Sequence, residues 1–133
     1  MSDSAKARWG SSGLKRLVNA LRYQSQGVRH GLLYDSAIRQ VSAACIALCA
    51  VAALLPVSTL ERLMLALSLL LIVLVEYVNS AIEATVDRIS LESHPLSKQA
   101  KDFGSVAVAI AALMSGLCWV VIAGPLVLKW FAN

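Results

Sequence analysis

Residues 63–82 read LMLALSLLLIVLVEYVNSAI: apolar apart from Ser68 as far as Val75, then broken by Glu76, Asn79 and Ser80. The hydrocarbon core of a bilayer, about 30 Å thick, is crossed by roughly 20 mostly apolar helical residues, so this stretch is long enough to span it. It also carries a carboxylate where lipid disfavours one. Two further stretches of the same kind flank it. Gln40 to Leu60 carries no charge before it, and Phe103 to Leu128 carries none after it. With three uncharged or nearly uncharged stretches of that length, the fold class is all-α with three transmembrane helices.

Composition agrees. The 133 residues are 58% hydrophobic and only 15% charged, with a mean hydropathy of +0.69, too apolar for an ordinary soluble domain. The polar remainder is too small to bury a core of its own, so a single domain over 1–133, completed inside the membrane by other copies of the chain, is expected. Residues 1–12, rich in Ser, Ala and Gly, read as a flexible tail. Over 14–31, Leu14, Leu17, Val18 and Leu21 face away from Lys15, Arg16, Asn19 and Arg22, the pattern of an amphipathic helix lying in the membrane surface. The absence of a continuous apolar core in the first 34 residues argues against a cleaved secretory signal. The helices containing the spans are expected at 35–56, 61–89 and 98–131. Pro56 and Ser58 close the first, and a loop around Pro95 precedes the last. Gly104, Gly116 and Gly124 are small residues suited to close helix contact.

Lys and Arg give the orientation. Lys6, Arg8, Lys15, Arg16, Arg22, Arg29 and Arg39 precede the first span, and Arg88, Lys98 and Lys101 lie between the second and third. Only Arg62 and Lys129 fall on the other side, which puts the N-terminus and the Arg88 loop in the cytoplasm. The net charge of +4 is therefore largely a topology signal, and nothing beyond it suggests nucleic-acid binding. Cys45, Cys49 and Cys118 sit in apolar stretches without an accompanying His and read as small hydrophobes.

An ionisable group inside a span is a functional hypothesis by default. At 100° per residue, Asn79 lies about −60° from Glu76, Ser80 about +40°, Glu83 about −20° and Asp87 about +20°. One stripe thus carries three carboxylates, an amide and a hydroxyl. Glu83 and Asp87 are like charges at i, i+4, which repel unless a cation lies between them. Oxygen ligands alone suit a hard ion such as Mg²⁺, normally held by one or two carboxylates together with substrate phosphates. Immediately beyond come Glu92, His94, Lys98, Lys101 and Asp102, groups a polyphosphate and a purine would use. Asp35, at the entry to the first span, is a second acidic group that could serve the same ion. Neither GxxxxGK[ST] nor GxGxxG is present, so a nucleotide site here is not of the common kinds. The bland alternative is that the stripe only hydrogen-bonds helices together, and three carboxylates exceed what that needs.

The run EYVNSAIEATVDR from Glu76 to Arg88, with His94, with AKDFGS from Ala100 to Ser105 and with DSAIRQ from Asp35 to Gln40, resembles the signature of the prokaryotic diacylglycerol kinase family. The resemblance covers nearly the whole chain from Leu14. It implies a homotrimeric bundle of three-span subunits with an N-terminal surface helix in the bacterial cytoplasmic (inner) membrane. It further implies transfer of the γ-phosphoryl of MgATP to diacylglycerol. In that family's terms Glu76 is the general base, and Glu83 and Asp35 hold Mg²⁺, with Asp35 standing where the family often has Glu. Arg16, Tyr23, Glu92, His94, Lys101 and Asp102 contact ATP, while Asn79 and Asp87 support the site. Arg29, Arg39, Gln40, Arg62, Ser105 and Trp119 fall in regions that line the lipid pocket. Val41 and Ser25 depart from the family's usual acidic and aromatic residues. An undecaprenol kinase of the same fold is the nearest alternative. A small proton-coupled transporter is a remoter one, which would call for inverted repeats that are not found.

Overall fold

The computed structural model describes residues 13–90 and 92–132, which divide into two compact units, one through Ser36 and one from Ala37. The described residues form four helices and no strand: α1 Gly13–Tyr34, α2 Ser36–Leu54, α3 Thr59–Ile89 and α4 Pro95–Phe131. The tail expected at 1–12 lies outside the described residues. The last three helices are each long and apolar enough to cross a membrane, where a helix satisfies its own backbone hydrogen bonds.

In the first unit, α1 continues through Gly27 and Gly31 to Tyr34, beyond the end expected at residue 31. Leu14, Leu17, Val18 and Leu21 are all exposed, as a helix with an unpartnered apolar face requires. The helix stops at Asp35, whose N–H still donates to the Gly31 carbonyl at 3.0 Å.

In the second unit, α2 and α3 form an antiparallel hairpin. Pro56 cannot continue α2, and the chain tightens there with Val57 N–H donating to the Leu55 carbonyl at 2.9 Å. The last carbonyls of a helix need donors. Arg62 supplies them, with Nε on Ala52 O at 3.2 Å and Nη2 on Leu55 O at 3.1 Å. α3 opens on a capping box. Glu61 N–H donates to Ser58 Oγ at 3.3 Å, while Ser58 N–H donates to Glu61 Oε2 at 2.8 Å.

The buried residues of α3 are Leu65, Leu69, Glu76 and Asn79, one inward stripe that is apolar in its first half and polar in its second. α4 returns antiparallel and meets this stripe with Gly104, Ala111 and Ser115, its own buried residues. Lipid supplies no hydrophobic drive between helices, so close packing by small residues and interhelical hydrogen bonds does the joining. Ser68 Oγ and Ser115 Oγ share one such bond at 3.0 Å. Of the three glycines expected at helix contacts, only Gly104 makes one in this chain. Around Gly116 and Gly124 there is nothing within 4 Å of where a Cβ would stand. Their faces turn away from α3, and Ala111 and Ser115 do that work instead.

α4 begins at Pro95, earlier than the start expected at Lys98. Proline is favoured in the first turn of a helix, where its missing N–H would have no partner anyway. His94 caps it, Nδ1 accepting from Leu96 N–H at 3.2 Å. Pro95 therefore starts the helix rather than belonging to the loop.

The Ser58 hydroxyl, and after it the Ser58 backbone N–H, hold the Glu61 carboxyl below its ordinary range. A lowered carboxyl stabilises the fold above its unfolded value and loses that contribution as pH falls through the folded one. Ser58→Ala should lower the unfolding free energy by about 0.5–2 kcal/mol at neutral pH. Detergent-titrated unfolding followed by circular dichroism measures this, and an unchanged midpoint would remove the capping box from the account.

Candidate functional site

The polar half of the α3 stripe holds the one buried ionisable carboxylate among the described residues. Glu76 is only 5% exposed and Asn79 only 7%. One turn on, Asn79 Nδ2 donates to Glu83 Oε1 at 3.0 Å, so the amide orients a half-buried carboxylate along the helix axis. A further turn brings Asp87, where Lys101 of α4 donates to Oδ1 at 2.6 Å. This ion pair joins α3 to α4 at the polar end of the hairpin. The expected repulsion between Glu83 and Asp87 is therefore relieved partly by Lys101 and partly by Asn79.

Beyond Asp87 the α3–α4 connection encloses a hollow of about 270 Å³ lined by Val86, Asp87, Ser90, Glu92, Ser93, His94, Ser97, Lys98, Lys101 and Asp102. Six of the residues singled out in the sequence, Asp87, Glu92, His94, Lys98, Lys101 and Asp102, are brought together here. The first turn of α4 opens onto the hollow, and unpaired backbone N–H groups at a helix start favour anions. Both lysines are already neutralised, Lys98 by Asp102 at 2.6 Å and Lys101 by Asp87 at 2.6 Å. Both pairs are at least partly exposed and therefore weak, so an incoming anion can exchange for their carboxylates. Ser90, Ser93 and Ser97 were not singled out in the sequence. Their spacing carries no helical signal, because Ser90 ends α3, Ser93 lies in the loop and only Ser97 is on α4.

The other candidates lie elsewhere. In the first unit Arg16, Tyr23 and Arg29 are exposed on α1. Arg29 shares a hollow of about 170 Å³ with Gln26, His30, Leu33 and Tyr34. Asp35 sits at the junction of α1 and α2. Arg39 and Gln40 are exposed on the first turns of α2, and Ser105 is exposed beside buried Gly104. Arg62 lies fourteen residues before Glu76 on α3, about 21 Å along the axis, and is engaged with the α2 carbonyls. Trp119, half-buried one turn past Ser115, has an enclosed Nε1 with no hydrogen-bond partner among the described residues. The structure does not bring Arg62 or Trp119 to Glu76. Among the described residues no three His, Cys, Asp or Glu side chains converge as a metal-binding group.

The family model described as prokaryotic diacylglycerol kinase matches residues 22–123, the stretch that holds the stripe, the hollow and most of the three apolar helices. The chain belongs to the prokaryotic diacylglycerol kinase family. It is thereby placed among the phosphotransferases. It is 46% identical over 113 residues to a diacylglycerol kinase of Pseudomonas aeruginosa, covering 85% of this chain and 92% of that one. It is 38% identical over 112 residues to a diacylglycerol kinase of Escherichia coli, covering 84% and 92%. A Helicobacter pylori diacylglycerol kinase is 38% identical over 109 residues, covering 82% and 85%.

The Lys101–Asp87 pair is half exposed, and pairs of that kind contribute about 0–1 kcal/mol. Asp87→Asn should accordingly change the unfolding free energy by less than about 1 kcal/mol. A loss of several kcal/mol in the same unfolding titration would make Asp87 a structural residue rather than part of the site.

Proposed function

We propose that this chain transfers the γ-phosphoryl group of MgATP to the hydroxyl of diacylglycerol, giving phosphatidate and ADP at the cytoplasmic face of a bacterial inner membrane. The observation that carries the reading is the continuity of the site. A buried carboxylate, Glu76, lies on the same face of α3 as Asn79, Glu83 and Asp87, and that face runs directly into the Lys- and Ser-lined hollow. Lipid-embedded and water-facing chemistry thus meet along one helix, as a kinase with a lipid acceptor and a soluble donor demands.

Glu76 serves as general base. It takes the proton from the acceptor hydroxyl as that oxygen forms its bond to the γ-phosphorus and the bond to the β-phosphate bridging oxygen breaks, releasing ADP. Phosphoryl transfer asks little covalent chemistry of the protein, and its catalysis is mainly positioning and charge stabilisation. Glu83 and Asp35 hold Mg²⁺ with the donor phosphates. The donor set fits, since it is all oxygen and since few protein carboxylates are needed when phosphates and water complete the ion's shell. When bound, the ion neutralises charge on the transferring phosphoryl oxygens. Asn79 orients Glu83, and Asp87 holds Lys101 ready for a phosphate. Arg16, Tyr23, Glu92, His94, Lys101 and Asp102 bind ATP, and Arg29, Arg39, Gln40, Arg62, Ser105 and Trp119 line the path of the lipid. The working unit is a homotrimer. That assembly is what membership of the family implies.

The deciding experiment follows labelled phosphate from ATP with Mg²⁺ in mixed micelles offering diacylglycerol and undecaprenol side by side. Preferential labelling of diacylglycerol is expected, and labelling of undecaprenol alone would replace the acceptor. Glu76→Gln should lower kcat by roughly 10²–10⁴-fold, the usual worth of a positioned base, with assembly and ATP binding retained. A Glu76→Gln chain of unchanged kcat would sink the assignment of the base.

A further inference from the structure

The carbonyl end of the Asn79 side chain is enclosed and has no hydrogen-bond partner among the described residues. It points at Gly104, and a Cβ built on Gly104 would overlap Asn79 Oδ1, with Asn79 Cγ at 3.2 Å and Asn79 Cβ at 3.8 Å. The glycine's own Cα–H occupies that direction instead, a weak donor suited to a carbonyl oxygen between closely packed helices. Turning the amide over would not relieve the arrangement, since it would set the carbonyl oxygen against the Glu83 carboxylate, which only accepts. The amide therefore has one workable orientation: Nδ2 on Glu83 Oε1 at 3.0 Å and Oδ1 in the notch left by the missing side chain of Gly104.

We infer that Gly104 is a positioning residue, whose lack of a side chain lets Asn79 aim Glu83 at the divalent cation of the nucleotide. The inference rests on the kinase reading above, in which Glu83 holds that cation. It assigns a role on α4 to a residue that carries no functional group. Gly104→Ala would push the Asn79 amide out of the notch, and the bond to Glu83 would go with it. An effect through packing alone is separable from this, because alanine is the better helix former and removing the Asn79 amide also removes the clash.

The test uses the full chain in mixed micelles and follows Mn²⁺ binding by electron paramagnetic resonance in the presence of a non-hydrolysable ATP analogue. The Mg²⁺ dependence of phosphate transfer is measured beside it. Groups that orient metal ligands typically account for roughly 10–100-fold in metal affinity. Gly104→Ala is expected to weaken Mn²⁺ by roughly tenfold or more and to raise the half-saturating Mg²⁺ in step, with much of the rate recovered at saturating Mg²⁺. Asn79→Ala should give the same weakening, and Gly104→Ala added to Asn79→Ala should add nothing. Gly116→Ala, on the same helix with nothing within 4 Å, should bind Mn²⁺ as the unsubstituted chain does.

Unchanged Mn²⁺ affinity in Gly104→Ala would overturn the inference, as would a double variant that loses more than Asn79→Ala alone. If Gly104→Ala does not assemble, comparing Asn79→Ala with the double variant carries the test: equality supports it and further loss overturns it. An unsubstituted chain that neither transfers phosphate nor binds Mn²⁺ with the analogue would remove the kinase reading itself. Transfer and binding that ignore Gly104→Ala would remove only this inference.

Discussion

Everything in the second unit follows from the difficulty of keeping a carboxylate in hydrocarbon. Glu76 lies within an apolar helix, and a charged or strongly polar group at that depth costs several kcal/mol unless the protein surrounds it. The chain meets this by turning the Glu76 face of α3 inward and covering it with the smallest residues of α4. Gly104, Ala111 and Ser115 bring the α4 backbone close, and the same inward face presents Leu65 and Leu69 lower down. Because the apolar and polar halves lie on one stripe, packing the first half fixes the direction in which the second half points.

The charged end obeys a different rule. Around the loop the groups are at least partly in water, where ion pairs are weak and exchangeable. Lys98 and Lys101 are each held by a carboxylate, yet at little cost either can be given to another anion. Buried groups that must not move and exposed groups that must be able to move are therefore separated along α3. Asn79 and Glu83 stand at the boundary. That division suits a reaction in which a fixed base awaits a lipid hydroxyl while a soluble donor enters and leaves.

Much of this was legible in the sequence, because bilayer thickness and the 100° helical step are strong constraints. The three uncharged or nearly uncharged stretches define α2, α3 and α4, and the angular positions of Asn79, Glu83 and Asp87 relative to Glu76 hold for a helix that runs unbroken to Ile89. Local end effects were less legible. Pro95 has the same letter whether it breaks a helix or starts one, and only the His94 cap decides between the two. Close packing was less legible still. Gly104, Gly116 and Gly124 look alike as small residues, but which of them meets α3 depends on the register between helices, and that register is fixed by contacts such as Ser68 with Ser115. The reach of Lys101 across to Asp87 depends on the same register.

That register also limits what distant residues can do. Ser68 stands opposite Ser115 and Asn79 opposite Gly104, so moving one turn past Ser115 brings Trp119 to the level of Met64, close to that of Arg62. Both residues therefore lie some 20 Å from Glu76 along the helix axis, most of the way across a hydrocarbon core about 30 Å thick. An acceptor whose hydroxyl sits at Glu76 can meet them only with the far part of its chains. Arg62 is moreover committed to the carbonyls that end α2. Its loss would unsettle the hairpin before it altered any lipid contact, so a defect in an Arg62 variant says something about the turn first. Trp119 differs, because its indole N–H is enclosed without a partner among the described residues, and a buried donor in that state is a poor packing element. Of the two residues remote from the chemistry, Trp119 is thus the one whose polar group this chain's own fold does not account for.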